Sequence, residues 1–312
     1  MLDLLLLVVG FAVLIKGADV FVDSGVGIAK KLKIPSVIIG LTIVSLGTSA
    51  PEAVVSITAS LKGEASLAIG NIVGSNLFNL LFVVGLCALM KPFAVILKEI
   101  AKDFWISIAA TVILLSAMVF FSENIPQWFA VVMLVFFAVY IALLIRQAVK
   151  NPVTDSPDES EAKTRSMWFN VLGAILGCAC IVIGGQVAVT GAKNIAVAFN
   201  ISERIIGLTV LAIGTSLPEL VTSVVAAKKG ESGIALGNVV GSNIFNILFI
   251  LGMAGAISPL GIDMNLLFDT AALAISSLVA IVFIYTKSRI TRSEGFALIL
   301  MYVGYMTYVI VK

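Results

Sequence analysis

Residues 40–92 of this chain return, without a gap, as residues 207–259. At a constant offset of 167, 27 of the 53 aligned positions are identical. GLTIVSLGTSAPE at 40–52 matches GLTVLAIGTSLPE at 207–219, and GNIVGSNLFN at 70–79 matches GNVVGSNIFN at 237–246. The fold must therefore contain one unit twice. How the two copies sit depends on what separates them, and what separates them is apolar. Runs of about 20 apolar residues, the length that crosses a bilayer core, recur along the chain.

Hydrophobic residues make up 60% of the sequence and charged ones 12%, against roughly 45–50% and 25% in soluble domains. Ten spans are predicted, at about 2–30, 37–60, 66–90, 104–121, 126–148, 167–198, 205–227, 232–258, 266–286 and 295–311. The N-terminal run carries the acidic Asp3 and no basic leader, so it reads as a first span rather than a cleaved signal. A polar linker at 150–165, with Pro, Ser and acidic residues, divides the chain into a first five-helix repeat (1–149) and a second (166–312). Five is odd, so the second copy enters the membrane upside down. The expected fold is an all-α integral membrane protein of ten transmembrane helices. They form two inverted five-helix repeats, with helices 2, 3, 7 and 8 discontinuous. Inverted repeats bring equivalent segments together near the bilayer midplane.

Lys and Arg fix the expected orientation. With the N-terminus outside, the inside loops hold 15 of the 20 basic residues and the outside holds Lys62, Lys193, Arg204 and Lys312. Both termini are then extracellular and the 150–165 linker cytoplasmic, in a multi-pass protein of the cell membrane. With charges so placed, the chain is expected to meet the lipid bilayer and not nucleic acid. No obligate protein partner is evident.

The repeat carries its chemistry where it interrupts its own helices. Pro51 and Pro218 each remove a backbone donor inside an apolar run. Carbonyls upstream, those of Ser45 and Leu46 and of Ala212 and Ile213, are expected to lose intrahelical partners and become free to meet a cation. Glu52 and Glu219 are the acids in mid-span of the two copies. An ionised side chain at membrane depth costs about 2.5–3.5 kcal/mol on insertion scales unless partnered. No basic residue lies in either motif, so a bound cation is the natural counter-charge. Thr48, Ser49, Ser75 and Asn79, with Thr215, Ser216, Ser242 and Asn246, add neutral oxygens. This all-oxygen set suits calcium or sodium and not soft metals. The chain has no histidine, which removes a histidine relay or histidine-ligated metal. Its three cysteines fall in apolar segments without disulfide or zinc spacing.

Local readings compete with these. Ser49-x-x-Glu52 and Ser216-x-x-Glu219 both fit a capping box. The Gly-x-x-x-Gly spacings at 70–74 and 237–241 read as close helix packing. Asn76 and Asn243 suit helix–helix hydrogen bonding as well as ion contact. Lys16 and Asp19, three apart, read as a local ion pair.

The duplicated GTSxPE and GNxxGSNxxN segments resemble the two alpha repeats of sodium/calcium exchangers, in the cation/calcium antiporter superfamily, of the prokaryotic ten-span type. The resemblance is closest over 40–92 and 207–259. It implies an antiporter exchanging Ca2+ for Na+ at one central site by alternating access, with no resident cofactor. The implied ligands are Thr48, Ser49, Glu52, Ser75, Asn79, Thr215, Ser216, Glu219, Ser242 and Asn246, with the backbone carbonyls of Ser45 and Ala212. The chain departs from many such exchangers in having Asn246 where they carry Asp, and it lacks their large regulatory loop. With two carboxylates, one calcium, two sodium ions or two protons would neutralise the site, so a Ca2+/H+ exchanger is the alternative on the same fold. A cation channel suits two inverted copies in one chain less well. No nucleophile–base pair supports an enzyme.

Overall fold

A computed structural model describes residues 2–94, 97–150, 166–199, 212–287 and 289–311. The predicted linker beyond Lys150 and the start of the predicted seventh span lie outside the described residues. The first repeat comprises α1 (Leu2–Leu32), α2 (Ser36–Thr48), α3 (Ala50–Leu61), α4 (Ser66–Met90), α5 (Glu99–Phe121) and α6 (Gln127–Lys150). The second comprises α7 (Met167–Ala198), α8 (Ala212–Thr215), α9 (Leu217–Lys229), α10 (Ser232–Ile257), α11 (Met264–Thr286) and α12 (Arg292–Val311). Among the described residues, eight helices are long and apolar enough to cross a membrane, and the bent pair α2–α3 makes a ninth. Large apolar side chains such as Phe120, Trp128 and Trp168 lie exposed on the outer surface. That is the surface of a multi-pass membrane protein, whose exterior is solvated by lipid.

The predicted discontinuities take two physical forms. α2 and α3 meet at a 50° bend. Ser49, at φ −82° and ψ 8°, carries it, two residues before Pro51. Ser216 has nearly the same dihedrals between α8 and α9, before Pro218. α4 and α10 do not break. They loosen into π-helical turns at Phe78–Val83 and Phe245–Ile250, each starting one residue before Asn79 or Asn246. A π-turn adds a residue to one turn and re-aims the side chains beyond it, and such turns gather at functional sites.

α4 and α10 form the centre, with 78% and 94% of their most apolar stretch buried, against 17–44% in the other six described membrane-length helices. α1 and α7, the equivalent long helices of the two repeats, run antiparallel along one side. Their glycines bring backbone against backbone: a Cβ at Gly10 would lie 2.4 Å from the Ala188 nitrogen, and one at Gly184 2.6 Å from the Leu14 nitrogen. Small residues permit this approach where lipid supplies no hydrophobic drive. Two short antiparallel pairings tie the loops at opposite ends: Phe93 and Ala94 with Ile290 and Arg289, and Asn124 and Ile125 with Gly261 and Leu260.

Candidate functional site

The bend at Ser49 and its counterpart at Ser216 put the two motifs face to face. Glu52 and Glu219 are both 0% exposed. Neither serine caps its own helix. Each reaches across to the other copy instead. Ser49 Oγ donates to Glu219 Oε1 at 2.7 Å, and Ser216 Oγ donates to Glu52 Oε1 at 2.9 Å. The capping-box expectation is thus corrected. The local donor–acceptor pattern is present, but the serine's partner sits in the opposite repeat. Ser242 Oγ lies 2.9 Å from Ser49 Oγ and 3.4 Å from Glu219 Oε1.

The carboxylates keep one oxygen each without a hydrogen-bond partner, Glu52 Oε2 and Glu219 Oε2. So do Ser75 Oγ, Asn79 Oδ1 and Asn246 Oδ1. Buried polar atoms are nearly always satisfied, and each exception needs a reason. Five of the eight such atoms among the described residues belong to the side chains the repeat singled out; the other three are on Ser24, Asp103 and Thr222. All five are oxygens, and two are carboxylate oxygens. A hard cation would satisfy such a set. Among the described residues no group of three or more acidic, histidine or cysteine side chains forms, so two carboxylates are what the site offers.

The remaining predicted residues fall around this centre. Thr48 is buried, and its hydroxyl reaches Asn238 Oδ1 at 3.0 Å and the Val44 carbonyl at 3.1 Å. Thr215 lines a cavity together with Pro51, Ser75 and Pro218. Ala212 opens α8, the first described turn of its span. The carbonyl of Ser45 is not freed by Pro51. It accepts the Ser49 amide at 3.0 Å, and the Thr48 hydroxyl lies 3.4 Å from it. The carbonyl four residues before Pro51 is that of Gly47, and it meets the Cys178 thiol of α7 at 3.6 Å. Cys178 is therefore more than apolar filling.

Sequence reasoning missed Asn238. Its Nδ2 donates to Ser223 Oγ at 2.9 Å and lies 3.4 Å from the Glu219 carbonyl, so it braces the half-helix that carries the carboxylate. Asn71 bonds Ser56 in the same way at 3.0 Å. The available signal was an asparagine and a serine repeated at equal offsets inside apolar spans. Asn76 and Asn243 do bond across helices, each through Nδ2 to the other's backbone carbonyl.

A cavity of about 800 Å3 reaches the site. Gly70 and Gly74 of α4 line it. A Cβ at Gly74 would meet no described atom within 4 Å. On the opposite face the equivalent Gly237 and Gly241 press against α2, where a Cβ would lie 2.6 Å from the Val37 oxygen and 2.7 Å from the Leu41 Cα. That face also carries an ion pair that corrects the local Lys16–Asp19 expectation. Asp19 and Asp23 of α1 both bond Lys229 at the end of α9.

The family model described as sodium/calcium exchanger protein matches residues 2–146 and 169–311. The putative antiporter CaxA of Alkalimonas amylolytica is 37% identical over 306 residues, 95% of each chain. The sodium/calcium exchanger MaX1 of Methanosarcina acetivorans is 33% identical across 97% of each. A solved structure of the sodium-calcium exchanger NCX_Mj aligns with a TM-score of 0.84 and 31% identity, over 98% of each chain. Sequence and fold thus agree over nearly the whole length. The chain belongs to the sodium/calcium exchanger family, within the cation/calcium antiporter superfamily.

Proposed function

We propose that this chain is a secondary antiporter that exchanges Ca2+ for Na+ across the cell membrane, by alternating access to the site between Glu52 and Glu219. The observation that carries the reading is the set of five buried oxygens without partners, on Glu52, Ser75, Asn79, Glu219 and Asn246. Thr48, Ser49, Thr215, Ser216, Ser242 and the carbonyls of Ser45 and Ala212 complete the ligand set as the ion is held. The relatives named sodium/calcium exchangers support sodium as the counter-ion. Charge balance supplies the coupling. Two ionised carboxylates moving uncompensated through a low-dielectric barrier would cost several kcal/mol. One calcium or two sodium ions neutralise them, so the protein changes face when loaded and stalls when bare. It works as a carrier and not as an enzyme, without a resident cofactor.

With the basic loops inside, both termini and the cavity face are extracellular and the 150–165 linker is cytoplasmic. The packing of α2 against α10 then closes the cytoplasmic face.

A second reading, Ca2+/H+ exchange, is favoured by one feature. Asn246 leaves the site with two carboxylates, which two protons neutralise as well as two sodium ions. Reconstituted vesicles decide. Ca2+ uptake driven by a sodium gradient and indifferent to a pH gradient is expected. Uptake that ignores sodium and collapses a pH gradient overturns the sodium assignment.

A further inference from the structure

Four buried asparagines lock α4 to α10, and two of them use both ends of their amides doing it. Asn76 donates through Nδ2 to the Asn243 carbonyl at 3.1 Å and accepts at Oδ1 from Asn246 Nδ2 at 2.9 Å. Asn243 mirrors it, donating to the Asn76 carbonyl at 3.4 Å and accepting from Asn79 Nδ2 at 3.4 Å. A side-chain amide has one donor end and one acceptor end. Because Nδ2 of Asn79 and of Asn246 is engaged in the clasp, each must turn Oδ1 the other way. Those two oxygens are among the atoms without a partner.

We propose that Asn76 and Asn243 are positioning residues that fix the orientation of the ion-facing amides of Asn79 and Asn246, and that the Asn76 acceptor holds position 246 to a neutral amide. An aspartate at 246 would set a charged acceptor against Asn76 Oδ1, at the spot where Nδ2 now lies 2.9 Å away. Neither oxygen brings a hydrogen. Asn76 cannot turn round to help without withdrawing its own donor from the Asn243 carbonyl. Burial leaves water no access to screen the conflict. The clasp therefore fixes the charge of the site at two, which one calcium or two monovalent cations cancel. The inference rests on the exchange reading above and specifies its charge.

The test uses the full chain in vesicles, with Ca2+ uptake measured at clamped membrane potentials. Wild-type uptake is expected to ignore the potential. Asn76→Ser should raise the KM for Ca2+ about tenfold and leave the maximal rate near that of wild type, the size expected for one lost buried hydrogen bond. Asn246→Asp should lose about a hundredfold in uptake. The double change Asn76→Ser with Asn246→Asp should recover most of that loss, since a serine hydroxyl rotates to donate. Its uptake should now follow the potential, because a third negative charge moves. Asn79→Asp, alone and with Asn243→Ser, repeats the experiment on the mirror pair should Asn246→Asp fail to fold. Unaltered uptake by Asn246→Asp, no recovery in the double variant, or wild-type uptake that follows the potential overturns the proposal. A wild-type chain that moves no Ca2+ under either gradient overturns the exchange reading itself. A wild type that exchanges while Asn76→Ser keeps its KM overturns only the clasp.

Discussion

Gly237 and Gly241 come from the same motif as Gly70 and Gly74, and among the described residues the two pairs have different neighbours. The first pair lies backbone to backbone against Val37, Gly40 and Leu41 of α2. The second borders the cavity, with Leu266 Cδ2, 3.4 Å from a Cβ at Gly70, the nearest described atom. By the repeat offset of 167 the positions equivalent to Val37, Gly40 and Leu41 are 204, 207 and 208, outside the described residues. What the α10 pair teaches is the use of the motif: its glycines let two backbones meet inside the membrane, and the α4 copy carries the same capacity.

At the centre the two copies are closer to alike, although Ser242 meets Ser49 and Glu219 while Ser75 Oγ has no partner. Each glutamate takes a serine from the opposite copy, so Glu52→Gln and Glu219→Gln are expected to be equally severe. Removing one charge from a buried, bonded ion site costs roughly 3–5 kcal/mol, which corresponds to losses of a hundredfold or more in Ca2+ uptake. Gel filtration in detergent checks that both variants remain folded. If one variant retains uptake well above the other, the site is not shared equally and the symmetric half of the comparison breaks.

Glycine to alanine tests the two faces directly. At Gly241 the new Cβ would lie 2.7 Å from the Leu41 Cα and 2.8 Å from its oxygen, and backbone yields little. A loss of about 1–3 kcal/mol is expected, seen as a lower Tm. Gly74→Ala is expected to lower Tm by a similar amount, since the repeated motif serves close packing in both copies. A Tm left near that of wild type by Gly74→Ala alone would separate the two faces.

Much of this was legible in the chain. Apolar run length marks the spans because lipid demands continuous helix. The glutamates stood out because charge in such runs is costly. What escaped was long-range. Ser49-x-x-Glu52 reads as a cap because sequence shows neighbours, whereas the acceptor of Ser49 is Glu219, 170 residues away. Asp19 looked to Lys16 for the same reason, and its partner is Lys229. Pro51 was rightly read as a break, but the carbonyl it deprives is that of Gly47 rather than Ser45. The two glycine pairs read alike because the motif encodes a capacity for close packing, and the contact it makes in α10 is with α2, about 200 residues away in sequence.

The ion pair at the closed face gives the finest test. Lys229 joins α9 to α1 through Asp19 and Asp23, while the aligned residues on the cavity face are Lys62, Gln186 and Thr190. A lysine is present at both ends, but its acidic partners are present at only one. The bridge can therefore stabilise closure of this face without an equivalent for the other, and it biases the cycle toward the outward-open state. The side chains are 27–55% exposed, so the bias is modest, about 0.2–1 kcal/mol. Lys229→Ala should shift the balance toward the inward-open state by no more than about fivefold, read as a changed ratio of apparent Ca2+ affinities on the two sides of oriented vesicles. Gln186→Asp with Thr190→Asp should shift it the same way, by giving Lys62 the partners that Lys229 already has. Both effects should fade toward about 1 M salt, where charges are screened within about 3 Å. A shift of opposite sign in either variant, or one untouched by salt, would show that Lys229 serves packing rather than the bias.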